Sequence, residues 1–258
     1  MVPDRRQFIS AITAAALARP GHAGPARVDY IPYPPGVPRV GADPAYAEPT
    51  DIGETLSLDH AGQARQVHLY VPQGEGPRRS ILLLHGAQRT GRSMLDMWRA
   101  AADRSGVVLI APDALGEGWS PETDPPGLLV AALNAASARV ELATDGVAMF
   151  GHSSGGILAQ LYANRLQGPW RAVATHGAAL PADAVQSPAT ASVPVRLYVG
   201  AGDHLFPPAK ARATTEALAA AGHPADMIAI AGHTHWYYAI GPWLAEDCLA
   251  WMATHGLG

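Results

Sequence analysis

The stretch Val147-Ala148-Met149-Phe150-Gly151-His152-Ser153-Ser154-Gly155-Gly156-Ile157-Leu158 decides the fold. Its first four residues form an apolar run of the kind found in strands covered on both faces. Ile157, Leu158, Leu161 and Tyr162 then recur at helical spacing. Between the two lies G-x-S-x-G, so strand, sharp turn and helix follow one another directly. A serine at the tip of such a turn leaves no space for side chains two positions before and after it, and Gly151 and Gly155 relieve that crowding. The Ser153 hydroxyl then projects beyond the strand end. Ser154 cannot replace it in this register, because the residue two before it is His152. Its backbone N–H, at the start of the new helix, is instead placed to meet negative charge.

Outward from this stretch the pattern repeats. Ile81 to Leu84, Val107 to Ile110, Val195 to Val199 and Met227 to Ile230 are short, mostly apolar runs that predict further parallel strands. Val67, Leu69 and Val71 alternate with His68 and Tyr70, and an earlier strand surrounds Leu56 and Leu58. These two precede any helix and are expected to pair antiparallel. Met94, Met97, Trp98 and Ala101 form a helical stripe after a cap at Ser93 and before Gly106. Leu244, Cys248, Trp251 and Met252 form another after Pro242, which makes the lone cysteine a core residue rather than a nucleophile. The economical answer is one α/β domain over residues 51–258, with a mostly parallel, doubly wound sheet and helices on both faces.

Composition narrows what such a domain does. With one cysteine in 258 residues the chain can form no intrachain disulfide and lacks the thiolates of a zinc knuckle or an iron–sulfur centre. The net charge is -4 and Lys210 is the sole lysine, so no basic stripe is present to neutralise a nucleic-acid backbone. Hydrophobic residues make up 48% and charged residues 16%, a globular balance.

The N-terminus reads as an address. Arg5-Arg6-Gln7-Phe8-Ile9 sets paired arginines before an apolar stretch that ends near Gly21-His22-Ala23, so residues 1–23 resemble a twin-arginine export signal of the bacterial type. That stretch is about ten residues long, half of the ~20 a spanning helix needs, so no permanent membrane anchor is expected. Cleavage after Ala18 or after Ala23 stays open, and the destination is periplasmic or extracellular. Prolines at 32, 34, 35, 38, 44 and 49 then predict an extended strap over residues 24–50, outside the core.

A serine hydroxyl attacks only if a base accepts its proton, and the base needs a carboxylate to hold its tautomer. Of the downstream acids, Asp203 alone sits just past a buried strand, in Val199-Gly200-Ala201-Gly202-Asp203. After the last strand come His233 and His235, in Gly232-His233-Thr234-His235-Trp236-Tyr237-Tyr238, and spacing alone does not choose between them. A metal site on this H-x-H pair lacks a placed third ligand. No cofactor is called for.

The order Ser153, Asp203, histidine is that of α/β-hydrolases. Together with Leu84-His85-Gly86-Ala87, Ala111-Pro112-Asp113 with Gly116 and Trp119 beyond it, and Gly151 to Gly156, the chain resembles the poly(3-hydroxybutyrate) depolymerase-like and feruloyl esterase-like branch of that superfamily over residues 65–255. The resemblance implies His235 as the base, because His235-Trp236-Tyr237-Tyr238 matches a histidine, one residue, then an aromatic. In those depolymerase-like relatives the base often follows a glycine, however, as His233 follows Gly232, so the choice stays open. It implies a second oxyanion donor at Ala87, with Gln88 the neighbouring alternative, and a structural role for His85. Many relatives insert a long lid after the sixth strand, but the 18 residues from Gly177 to Pro194 hold no amphipathic lid helix, so an open crevice is expected. Trp119 and Trp236 are candidate walls of the substrate pocket. The implied activity is that of a serine carboxylesterase on small or polymer-attached esters of feruloyl, acetyl or polyhydroxyalkanoate type, unranked. A peptidase or acyltransferase on the same residues, and a non-catalytic binding protein on the same scaffold, are the rival readings.

Overall fold

A computed structural model describes residues 24–39, 45–165, 168–185 and 192–257. The expected signal over residues 1–23 lies outside the described residues. Nine strands form a single sheet: β1 (Arg27–Ile31), β2 (Glu54–His60), β3 (Gln63–Tyr70), β4 (Arg78–Leu84), β5 (Val108–Pro112), β6 (Leu142–His152), β7 (Trp170–His176), β8 (Val195–Gly200) and β9 (Ala225–Ile230). Their order is β1-β9-β8-β7-β6-β4-β5-β3-β2. All neighbours are parallel from β1 to β5, while β3 runs antiparallel to both β5 and β2. This is the α/β-hydrolase architecture, with the antiparallel pair where the sequence places it.

Successive strand residues are buried to opposite sides, which is why the central strands read as unbroken apolar runs. Ile81, Leu83, Ala148 and Phe150 face one layer, made by α1 (Gly91–Ser105) and α5 (Gly241–Met252). Leu82, Leu84, Val147 and Met149 face the other, made by α2 (Pro126–Ser137) and α3 (Ser154–Arg165), and α4 (Pro208–Ala220) covers Val195, Leu197 and Val199 on that side. Cys248 is fully buried in the first layer.

Two boundaries differ from expectation. Helix α1 is capped by Thr90, whose side chain accepts from the Arg92 N–H at 3.3 Å, and not by Ser93. Ser93 lies inside the first turn, fully buried, and its hydroxyl donates to the Thr90 carbonyl at 2.8 Å. The far end closes as read: Gly106 takes φ 74° and donates to the Ala102 carbonyl. The proline-rich strap is also more than a surface strap. Its residues 27–31 are the edge strand β1, and Tyr33 is buried in the α1/α5 layer, because the one face β9 leaves open offers backbone partners and an apolar surface at once. Strand β7, which the sequence reading does not single out, lies in the sheet between β6 and β8.

Among the described residues no helix is long and apolar enough to cross a membrane. The segment 177–194, too short for a long lid, holds among the described residues a single 3₁₀ turn, Ala182–Ala184.

Candidate active site

Sheet order brings β4, β6, β7 and the loops after β8 and β9 to one edge, the C-terminal ends of the parallel strands, where open α/β sheets bind ligands. Ser153 stands there between β6 and α3 with φ 52°, a left-handed conformation rare outside glycine. The flanking glycines are compelled by close approach: a Cβ on Gly151 would lie 2.3 Å from the Gly155 carbonyl oxygen, and one on Gly155 only 2.4 Å from that of Leu84. The turn is fixed further by the Ser153 N–H, which donates to the His176 carbonyl at 2.9 Å.

Asp203 follows β8 with its side chain wholly buried. One carboxylate oxygen accepts from the Leu205 and Phe206 amides at 2.9 and 2.8 Å. The other accepts from His235 Nδ1 at 2.8 Å, and His235 Nε2 lies 3.1 Å from Ser153 Oγ. Burial pushes the Asp203 carboxyl up, but the hydrogen bonds from His235, Phe206 and Leu205, with the attraction of His235, hold it below its ordinary value. The ring of Phe206 stacks on His235 at 5.7 Å and the ring of His152 packs against it at 5.0 Å. His235, not His233, therefore bridges Ser153 and Asp203. His233 is buried and hydrogen-bonded instead to His176, Nε2 to Nε2 at 2.9 Å.

The oxyanion candidates are arranged around the loop that leaves β4. Gln88, the alternative donor, gives its N–H to the Glu117 carbonyl at 2.6 Å, whereas the Ala87 N–H has no backbone acceptor among the described residues. Ser154 is the first residue of α3, where no carbonyl one turn back within the helix takes its N–H. A Cβ on Gly118 would sit 3.2 Å from Ser154 Oγ and 3.5 Å from Ala87 Cβ, so Gly118 walls this corner. His85 braces the loop: its Nδ1 donates to the Gly86 carbonyl at 2.7 Å and its Nε2 accepts from the Ala114 N–H at 3.1 Å. Burial lowers its pKa, in keeping with a neutral ring that both donates and accepts.

The two tryptophans part company. Trp119 is buried in the α2/α3 layer, where its Nε1–H donates to the His85 carbonyl at 2.9 Å and its ring lies 5.2 Å from that of His85. Its large apolar ring shares that layer with Leu84 and Leu158 and gains more there than in solvent. Trp236 is half-buried beside His235, edge-on to Tyr238 at 5.2 Å, with the Arg89 guanidinium 5.7 Å from its ring. Tyr46 of the strap stacks on Tyr238 at 4.1 Å, so the strap reaches this side of the site.

Four contributors escape sequence reasoning. Gly177, at φ 56°, would place a Cβ 2.7 Å from His235 Nδ1 and 3.2 Å from Asp203 Oδ2. Phe206, His152 and His176 are the others. The dipeptide His176-Gly177 closes only a mixed run over residues 170–175, a weak signal for two of them. Among the described residues no group of three or more His, Cys, Asp or Glu side chains is placed to hold a metal ion. A cavity of about 590 Å³ lies at the opposite end of the sheet, between Arg79, Arg104, Glu246 and Leu249, remote from Ser153.

The model of the dienelactone hydrolase family matches residues 100–249, more than half of the chain. No curated protein matches the sequence. Among solved structures, an S-formylglutathione hydrolase from Agrobacterium tumefaciens is 16% identical with a TM-score of 0.62, over 79% of this chain and 95% of that one. Esterase 2 of Thermogutta terrifontis, in a structure phosphonylated by cyclosarin, is 14% identical with a TM-score of 0.64, over 81% and 97%. A thermostable esterase gives 14% and 0.65 over 78% of this chain, which spans 62% of that esterase's length. At these identities the likeness is one of fold.

Proposed function

The chain belongs to the dienelactone hydrolase family, which makes it an α/β-hydrolase of the ester-cleaving class, and from that premise we propose that it is a serine carboxylesterase working through an acyl-enzyme. What carries the reading is the unbroken series Asp203, His235, Ser153, with hydrogen bonds of 2.8 and 3.1 Å. His235 Nε2 takes the Ser153 proton as Oγ attacks the ester carbonyl, and Asp203 steadies the imidazolium that forms. The N–H groups of Ala87 and Ser154 meet the oxyanion. His235 returns its proton to the leaving alcohol, then takes one from water, which cleaves the acyl-enzyme. A lactone is an ester whose acyl and alcohol parts share one chain, so the same steps open a ring.

The resemblance carried by Leu84 to Ala87 and Gly151 to Gly156 supports small or polymer-attached esters as substrates, and the short segment after β7 supports an open crevice that a polymer end could enter. Trp236, next to His235, is the proposed pocket wall. The paired arginines Arg5 and Arg6 support export to the periplasm or beyond; Arg5→Lys with Arg6→Lys should hold the precursor in the cytoplasm, and normal export would refute that.

Hydrolysis of p-nitrophenyl acetate, butyrate and octanoate tests the reading. We expect turnover that Ser153→Ala lowers on the order of 10⁴-fold with the fold intact. Equal activity in the variant would move the nucleophile elsewhere.

A further inference from the structure

Behind His235 three more histidines form a continuous buried chain. His152 ends β6 and His176 ends β7, and the two are register partners. Their Nδ1 atoms lie 3.1 Å apart, while His176 Nε2 is 2.9 Å from His233 Nε2. His152, His176 and His233 are 5%, 0% and 2% exposed.

One backbone group orders all three. His152 Nδ1 also lies 3.2 Å from the His176 carbonyl oxygen, which can only accept, so this nitrogen must carry the proton. His176 Nδ1 is then the acceptor, and its proton sits on Nε2. His233 Nε2 must accept that proton, which leaves the His233 proton on Nδ1. Adding a proton to His176 or to His233 would set two N–H groups against each other. Burial acts the same way: it lowers His152 to about 3 and His233 to about 4, and holds His176 well below its ordinary value, with mutual repulsion among the histidines adding to the effect.

The chain ends on the His235 imidazole. The His152 ring is held between His235 at 5.0 Å and Tyr237 at 5.1 Å, with the edge of Tyr238 at 6.2 Å, and Phe206 covers His235 from another side. The charge of Asp203 acts against the lowering at His152 and His233. We propose that His152, His176 and His233 are a positioning unit for His235: the tautomer-locked ring of His152 is the wall that keeps the His235 imidazole in line between Asp203 and Ser153. The kinetic consequence rests on the serine-esterase reading. The hydrogen-bond assignment does not.

The test uses the full chain and two substitutions at His233. His233→Leu removes the acceptor for His176 Nε2–H, whereas His233→Gln offers a side-chain oxygen in its place; His233→Met, similar in volume, substitutes for the leucine variant if that does not fold. ¹⁵N NMR of the wild type near neutral pH should show neutral rings protonated at Nδ1 in His152, Nε2 in His176 and Nδ1 in His233. With p-nitrophenyl acetate, His233→Leu should lower kcat about 10- to 100-fold at unchanged KM, the loss expected for a misplaced catalytic group, and His233→Gln should recover most of it. A His152 ring protonated at Nε2, a wild-type kcat in His233→Leu, or equal losses in the leucine and glutamine variants would overturn the proposal. If the wild type shows no serine-dependent turnover, the esterase reading fails separately. The positioning claim is then decided by the His235 Nδ1–H resonance, which must shift in His233→Leu and return in His233→Gln.

Discussion

At the scale of single residues, the site depends on side chains that are missing as much as on those present. Gly177 passes so close to His235 and Asp203 that any Cβ would press on the hydrogen bond between them, and its φ of 56° already disfavours other residues. Gly177→Ala should therefore reduce kcat on the order of 10²-fold, well beyond its effect on KM, because the imidazole is pushed off line. Steady-state kinetics would show this, and an unchanged kcat would mean the ring tolerates displacement. Ser153, Asp203 and the pair His233 and His235 were legible because each chemistry-bearing residue follows an apolar run that marks a strand end. The preference for His235 came from resemblance, and its bond to Asp203 is a matter of geometry. Gly177, Phe206, His152 and His176 were not legible as parts of the site, since their contacts join positions on separate strands, as far apart as His176 and His233. No local period encodes such a meeting.

At the scale of elements, the loop from β5 to α2 frames the oxyanion corner and is itself hung on one buried ion pair. Asp124, fully buried, accepts from the Leu115 and Ser120 amides at 3.0 and 3.1 Å and pairs with the buried guanidinium of Arg65 on β3. Arg65 also donates to the Asp113 and Thr123 carbonyls. Asp124→Ala would strand that charge and release the segment that carries Gly118 and Trp119. We expect a loss of about 3–5 kcal/mol in urea unfolding. A loss below about 1 kcal/mol would mark the pair as no more than a surface bridge. Elements with strong apolar periodicity were readable in advance, whereas β1 was hidden by its proline-rich surroundings and β7 by its mixed run Trp170-Arg171-Ala172-Val173-Ala174-Thr175-His176. The Thr90 cap was misplaced by three residues because Ser93, an equally good capping type, stands nearer the apolar stripe.

For the whole molecule, the buried histidines tie stability to pH. In the unfolded chain they bind protons below about 6.5, while in the folded protein His233 does so only near 4 and His152 near 3. Between those limits the unfolded state holds more protons, so stability falls as the pH drops from about 6.5 toward 3. Asp203 adds to the loss at the acid end: its lowered carboxyl stabilises the fold above the ordinary aspartate range, and that contribution disappears as the pH falls through its folded value. Thermal unfolding at pH 7, 5.5 and 4.5 should give steadily lower Tm, with a shallower slope in His233→Leu. A Tm independent of pH over this range would mean that these histidines take up protons in the folded protein as readily as in the unfolded chain. Strand order was beyond the sequence: the apolar runs predict parallel strands, but their sorting into β9-β8-β7-β6-β4-β5, which gathers Ser153, Asp203 and His235 at one edge, is set by packing on both faces at once.

The central claim is that Ser153 is an activated nucleophile. The most direct measurement is intact-mass and peptide mapping of the protein after exposure to a fluorophosphonate. One adduct, on Ser153, absent from Ser153→Ala and greatly slowed in His235→Ala, is the predicted result. An unlabelled wild-type protein, or an adduct on another residue, would contradict it.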